Sequence, residues 1–204
     1  MPSDRIFALS SYKFLVKFCL GFLICLSLTV VFALGSAAIA QAPAYALGGK
    51  QPTLNQPAPA FTLPTNTGSG KISLSDFKGK WVVIYFYPKD FTTGCTLEAR
   101  RFQQDSTQYS IKNTQILGIS VDSVDSHAEF CDSEGLQFPL LADTDGSVSK
   151  SYGSWMGFMS SRHTFIVDPD GVLRDRFLDV NPTIHSHEVL SRLEELQASQ
   201  TIKS

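Results

Sequence analysis

The densest chemistry in the sequence lies in Pro88-Lys89-Asp90-Phe91-Thr92-Thr93-Gly94-Cys95-Thr96-Leu97-Glu98. This stretch follows Trp81 to Tyr87 (WVVIYFY), a β-branched and aromatic run that suits a central strand covered on both faces. A strand-to-helix corner of this kind presents a side chain at the carboxyl edge of a sheet, where α/β folds place their ligand sites. Cys95, in the first turn of the following helix, would face unpaired backbone N–H groups and the positive end of the helix dipole. Both favour thiolate over thiol, so the chemistry on offer is that of a sulfur nucleophile. Thr92 is spaced to direct its hydroxyl into the same pocket, and Pro88 to limit water there. The plainer reading is a buried structural cysteine, common among free cysteines. The corner position, Gly94 and the polar neighbours weigh against it.

Other residues carry less. Cys131 lies 36 residues beyond Cys95, and His127 precedes it by four, a helical spacing that can chelate a metal but lacks a third ligand. His185-Ser186-His187 opens a helix and reads as solvated or capping. Tyr152, Trp155, Phe158 and Met159 occupy a Gly-containing loop, where they either cover a pocket or simply pack. Arg162, read by itself, is a surface charge.

The elements that must position these residues follow from pattern and punctuation. Ala60-Phe61-Thr62-Leu63, within a Pro- and Gly-rich stretch, reads as an edge strand, and residues 71–74 alternate as a half-buried strand should. Helix is expected from Thr93 or Gly94 to about Tyr109 and from Ser123 to Gly135, with the buried strand QILGISVD (residues 115–122) between them. A short strand over 138–142 and a short helix over 147–152 precede a hairpin built on Asp168-Pro169-Asp170-Gly171. An amphipathic helix over 185–198 carries Val189, Leu190, Leu193 and Leu196. The alternation predicts an α/β fold with a mixed central sheet flanked by helices.

The first 46 residues read differently. Phe18 to Ala40 is uncharged and almost wholly apolar, Arg5, Lys13 and Lys17 precede it, and Ala38-Ile39-Ala40 and Ala44-Tyr45-Ala46 have the spacing a signal peptidase reads. Residues 1–46 are therefore expected to be a signal peptide, or a membrane anchor holding on through residues 18–40, since ~20 apolar residues suffice to span the hydrocarbon layer. Residues 47–204 then form one domain with 14 basic and 18 acidic residues, enough chain for a single core. The 204-residue chain has a net charge of −2, which argues against nucleic acid as a partner, and its 43% hydrophobic content excludes a disordered chain. Export leads to a periplasm or a thylakoid lumen, where Cys95 and Cys131, the two cysteines beyond the apolar run, are free to form a disulfide, structural or catalytic.

YFYPKDFTTGCTLEARRF resembles the active-site stretch of peroxiredoxins, whose pattern is Pro, three residues, Thr, two residues, Cys; Pro88, Thr92 and Cys95 fill it. FYPKD, GCTLEA, SVDSVDSH and TFIVDPDG resemble the peroxiredoxin Q or bacterioferritin comigratory protein branch, over about residues 50–198. The resemblance implies a thioredoxin-like fold and a thiol-dependent peroxidase that reduces hydrogen peroxide and organic hydroperoxides. It implies no metal or organic cofactor, a thioredoxin-like reductant as partner, and a monomer. Cys95 would be the peroxidatic cysteine, and Arg162, just before the TFIV strand, the arginine that the family uses. Backbone N–H groups, the Thr92 hydroxyl and the Arg162 guanidinium would then steady the leaving oxygen's charge.

Two departures from that pattern matter. Many members have Asp-Asp-Thr-Pro-Gly-Cys where this chain has Asp90-Phe91-Thr92-Thr93-Gly94-Cys95, and Phe91 makes the pocket mouth more apolar, an expectation that favours bulkier hydroperoxides. Arg100 stands where many members place a resolving cysteine. Some members carry that cysteine in the later helix, which Cys131 fits, so the resemblance implies an intramolecular Cys95–Cys131 disulfide. A one-cysteine enzyme with Cys131 merely packed, and a non-catalytic thiol sensor, stay open beside it. A thioredoxin-type oxidoreductase is disfavoured, because Glu98 occupies the second cysteine position of Cys-x-x-Cys.

Overall fold

The computed structural model describes residues 49–67 and 70–201. The expected signal peptide or anchor, with its apolar core at residues 18–40, lies outside them. Among the described residues, no helix is long and apolar enough to cross a membrane.

The elements run β1 (Thr62–Pro64), β2 (Lys71–Ser73), a 3-10 turn (Leu74–Phe77), β3 (Trp81–Phe86), α1 (Thr93–Ile111), β4 (Thr114–Ser120), α2 (Val124–Glu134), β5 (Leu140–Ala142), α3 (Ser147–Ser151), β6 (Thr164–Val167), β7 (Leu173–Phe177) and α4 (His185–Thr201). The main sheet has five strands in the order β5-β4-β3-β6-β7. β3 and β5 each run parallel to β4, whereas β6 is antiparallel to both β3 and β7, so the sheet is mixed as expected. This is the thioredoxin-like arrangement of an α/β fold.

β3 sits at the centre because all six of its side chains are apolar enough to be buried on both faces. Trp81, Val83 and Tyr85, with Tyr87 beyond the strand, meet α1, α2 and α4 through Phe102, Tyr109, Phe130, Val189 and Leu193. Val82, Ile84 and Phe86 face the other way, against Phe61, Leu63, Val148, Tyr152 and Phe165. Each such side chain removed from water stabilises the fold by about 1.5–3 kcal/mol before entropy is counted. The helix α2 begins and ends as its sequence predicts: Ser123 accepts a hydrogen bond from the Ser126 N–H, and Gly135 closes it at φ +63°.

The edge strand expected around Ala60–Leu63 forms over residues 62–64, where it pairs with β2 in a two-stranded sheet separate from the main one. The segment around it borders the main sheet at both ends. Asn55 N–H donates to the Leu173 carbonyl at 2.8 Å, Leu173 N–H to the Gln56 carbonyl at 2.9 Å, and Pro57 bridges Val172 beside β7. Thr65 bridges Leu141 beside β5, and its hydroxyl donates to the Leu140 carbonyl at 2.9 Å.

Three histidines, His127, His163 and His185, are folded into the interior. His163 is 2% and His185 0% exposed, and burial lowers both from 6.5 to about 4. His185 reads from the sequence as solvated or capping; instead it packs between the rings of Phe102 and Phe177, with Nε2 against Thr164 Oγ1 at 2.8 Å. Both are favoured as neutral rings, so their contribution to stability is present above pH 6.5 and is lost as pH falls toward 4. Glu98 runs the other way: burial raises it from 4.5 to about 7, so its contribution is present below 4.5 and is lost as pH rises toward 7. Two histidines against one glutamate leave an expected net loss of about 2 kcal/mol on acidification from pH 7 to pH 4.5. Urea midpoints across that range check it, and a midpoint that rises on acidification contradicts it.

Candidate active site

The chain leaves β3 at Phe86, turns through Tyr87–Thr92, and enters α1 with Thr92 as the N-cap at φ −81° and ψ 144°. Cys95 therefore lies in the first turn of α1, as the sequence requires, and it is 1% exposed. Pro88 is half-buried beside the turn. Thr92 is exposed, and its hydroxyl donates to the Lys89 carbonyl at 2.9 Å rather than capping the helix. The oxygen's lone pairs stay free to accept.

Arg162 reaches the site because of sheet register. β6 pairs antiparallel with β3, matching Thr164 to Tyr85, and the Phe86 N–H donates to the His163 carbonyl at 2.7 Å. The residue before His163 is thus carried alongside the end of β3. Arg162 Nη2 lies 3.4 Å from Cys95 Sγ, and Nη1 donates to Glu98 Oε2. Gly94 leaves room for this approach, since a Cβ there would stand 3.1 Å from Nη2. The guanidinium stays charged throughout, so a negative charge on the sulfur meets a fixed positive partner.

Glu98 follows Cys95 by one helical turn and is fully buried, with Oε1 lacking a hydrogen-bond partner. Burial pushes its carboxyl up to about 7, against the pull of Arg162's charge and hydrogen bond. Tyr85 lies beneath, its hydroxyl also without a partner. Burial holds that phenol well above its ordinary value, and Glu98 and both cysteines add to the effect. Cys131, 7% exposed on α2, belongs to the same apolar cluster as Cys95, and both thiols are free. Burial pushes the Cys131 thiol up, opposed by a hydrogen bond from Asn66 and reinforced by Asp90 and Asp132.

Residues 54–176 match the family model of the AhpC/TSA family. The chain belongs to this family. A protein of Coxiella burnetii described as a putative peroxiredoxin bcp is 41% identical over 150 residues, covering 69% of this chain and 97% of the relative. The solved structure of a mutant Xylella fastidiosa PrxQ has a TM-score of 0.68 at 30% identity and covers 73% of this chain and 99% of that one. The bacterioferritin comigratory protein of Xanthomonas campestris, solved in work on its alkyl peroxide reduction activity, has a TM-score of 0.62 at 31% identity, covering 66% and 90%. The chain is a peroxiredoxin of the Bcp/PrxQ branch, a thiol peroxidase.

In this peroxiredoxin Arg100 pairs with Glu134 and so ties α1 to the end of α2. Phe91, half-exposed at 52%, leans its ring on Phe130 at 5.1 Å between centroids. His127 has no free metal-ligating role at Nδ1, which contacts Asp90 Oδ2 at 2.9 Å, and no group of three or more His, Cys, Asp or Glu residues able to hold a metal occurs among the described residues. Of the aromatic loop, Tyr152 packs in the cluster on the opposite sheet face and donates its hydroxyl to the Pro59 carbonyl at 2.8 Å. Trp155 lies under the Lys150 ammonium at 4.9 Å, and Phe158 is 70% exposed.

Sequence reasoning passed over Glu98 as a site residue and Asp90 altogether. The signal for Glu98 was its spacing of three from Cys95, which places both on one helical face. Asp90 gave little local signal, because apart from Tyr87 its partners, Asp122, Ser126 and His127, come from beyond β4.

Proposed function

We propose that Cys95 attacks the terminal oxygen of a hydroperoxide, and that Cys131 resolves the product as an intramolecular disulfide. The Cys95 thiolate forms an S–O bond as the O–O bond breaks. The departing alkoxide or hydroxide takes a proton and leaves as alcohol or water, and the sulfur becomes a sulfenic acid. The Cys131 sulfur then displaces hydroxide from that sulfenic sulfur, which leaves as water with the Cys131 proton. A dithiol reductant of thioredoxin type returns both sulfurs to thiols. Arg162 against Cys95 Sγ at 3.4 Å is the observation that carries this reading, since it puts a permanent cation where charge develops. The half-exposed Phe91 ring favours alkyl hydroperoxides as substrates, the class named for the Xanthomonas relative. The apolar run of residues 18–40 supports delivery of the enzyme to a periplasm or thylakoid lumen.

Intact mass after one equivalent of hydrogen peroxide, without reductant, tests the cycle. The protein is expected to lose two hydrogens, and either Cys95→Ser or Cys131→Ser is expected to abolish that loss. Oxygen addition at Cys95 with Cys131 still alkylatable makes this a one-cysteine enzyme.

A further inference from the structure

The loop between β3 and α1 does more than lead into Cys95. Asp90, at its centre, is 3% exposed and accepts three hydrogen-bonding contacts on one carboxylate. Oδ1 accepts from the Tyr87 hydroxyl at 2.7 Å, and Oδ2 accepts from the Ser126 hydroxyl at 2.7 Å and meets His127 Nδ1 at 2.9 Å. Its backbone N–H donates to Asp122 Oδ2 at 3.0 Å, an oxygen that also accepts from the Ser120 hydroxyl at 2.7 Å. Ser126 and His127 belong to α2, four to five residues ahead of Cys131 on that helix. Phe91, the next loop residue, touches Phe130, the direct neighbour of Cys131. It does so from a left-handed backbone conformation at φ +61°, which a phenylalanine adopts only when its surroundings hold it there.

A single short loop, continuous with the helix of Cys95, therefore clasps the helix of Cys131 at both its early and its late turns. Both thiols are nonetheless buried and unjoined. A disulfide needs its Cα atoms within ~7 Å and a defined S–S geometry, a demand on two sulfurs carried by separate helices that movement of one helix relative to the other would meet. Any such movement of α2 away from the loop strips partners from a buried carboxylate, which is costly for a charged group.

We propose that Asp90 is a positioning residue that times the second half of the cycle: its carboxylate clasps the Cys131 helix to the loop before Cys95, and release of that clasp limits disulfide formation. This rests on Cys131 being the resolving cysteine. While the clasp holds, the Cys95 sulfenic acid is exposed to a second hydroperoxide, which transfers one oxygen to give the sulfinic acid and leaves as water or alcohol. Asp90 thus sets the partition between a recyclable disulfide and an over-oxidised sulfur.

The test follows the full chain by quenched alkylation and intact mass after hydrogen peroxide, with time points that separate oxidation of Cys95 from disulfide formation. Ser126→Ala removes one hydrogen bond to Asp90 without touching either thiol. It is expected to leave the rate of Cys95 oxidation unchanged and to raise the rate of disulfide formation about fivefold. The sulfinic fraction at excess peroxide should fall in proportion. Asp90→Asn should act in the same direction and more strongly; if it does not fold, Ser126→Ala carries the test. Ser149→Ala, which removes a buried hydroxyl bonded to Asp143 at 2.7 Å away from both cysteines, should change neither rate. A disulfide rate that is unchanged or slower in Ser126→Ala, while the parent protein forms its disulfide, overturns the clasp and leaves Cys131 as resolver. An equal acceleration in Ser149→Ala overturns it too, by showing general loosening. A parent protein that gains oxygen and never loses two hydrogens removes the resolving role of Cys131, and the clasp with it.

Discussion

Arg162→Met is expected to slow the reaction of Cys95 with hydrogen peroxide by about a thousandfold, the scale of losing a charged donor aimed at a reacting centre. The guanidinium bridges two partners, Cys95 Sγ through Nη2 and Glu98 Oε2 through Nη1. Methionine preserves much of the volume and none of the charge. Glu98 would then sit buried with no cation, but a carboxyl already raised to about 7 can meet that change by taking up a proton. Activity should therefore fall far more than stability. Arg162→Lys should recover little, because a single ammonium cannot occupy both fork positions. Stopped-flow measurement of thiol loss against peroxide concentration decides the matter. A decrease of less than tenfold would mean that Arg162 is a structural counter-ion to Glu98 and no more.

Glu98→Ala is expected to cost about a hundredfold in the same rate, by letting the guanidinium drift from the sulfur. Glu98→Gln should cost less, since the amide oxygen still accepts from Nη1. Its diagnostic effect is on pH. Above about 7 the parent carboxylate is ionised and pins Arg162, and below it the proton weakens that hold, so the rate should rise with pH through this value. Glu98→Gln should lack that step while keeping any limb that belongs to Cys95 itself. Stability should be unchanged or higher in Glu98→Gln at neutral pH, because a buried carboxylate that strains against desolvation has been replaced by a neutral group. A pH profile identical to the parent's would remove Glu98 from the catalytic account.

The parts of this site that sequence reveals are those fixed by local physics. WVVIYFY ending at Pro88 specifies a doubly covered strand, and the strand places Cys95 at a helix start with no knowledge of the rest. Ser123 and Gly135 bracket α2 through their own capping chemistry. What depends on distant partners is hidden. Arg162 arrives through the β3–β6 register, which no residue near Arg162 encodes and which only the family resemblance suggested. His185 carries a polar side chain near polar neighbours, yet the rings of Phe102 and Phe177, from other elements, enclose it. Asp90 looks like one more loop acid until α2 supplies Ser126 and His127. The same limit applies to residues 60–63, whose pattern says strand and cannot say to which sheet.

The stretch from Asn55 to Thr65 has a consequence beyond framing the fold. A five-stranded open sheet ends in two rows of backbone donors and acceptors, and such rows recruit strands from other molecules. Here the same short stretch engages the row beside β7 first and the row beside β5 afterwards. Part of each outer strand's edge, at Leu173 in β7 and at Leu141 in β5, is thereby occupied by the chain's own backbone. That cover falls on the ends of the sheet, so motion of the helices that carry the two buried thiols would not of itself open those edges to another chain.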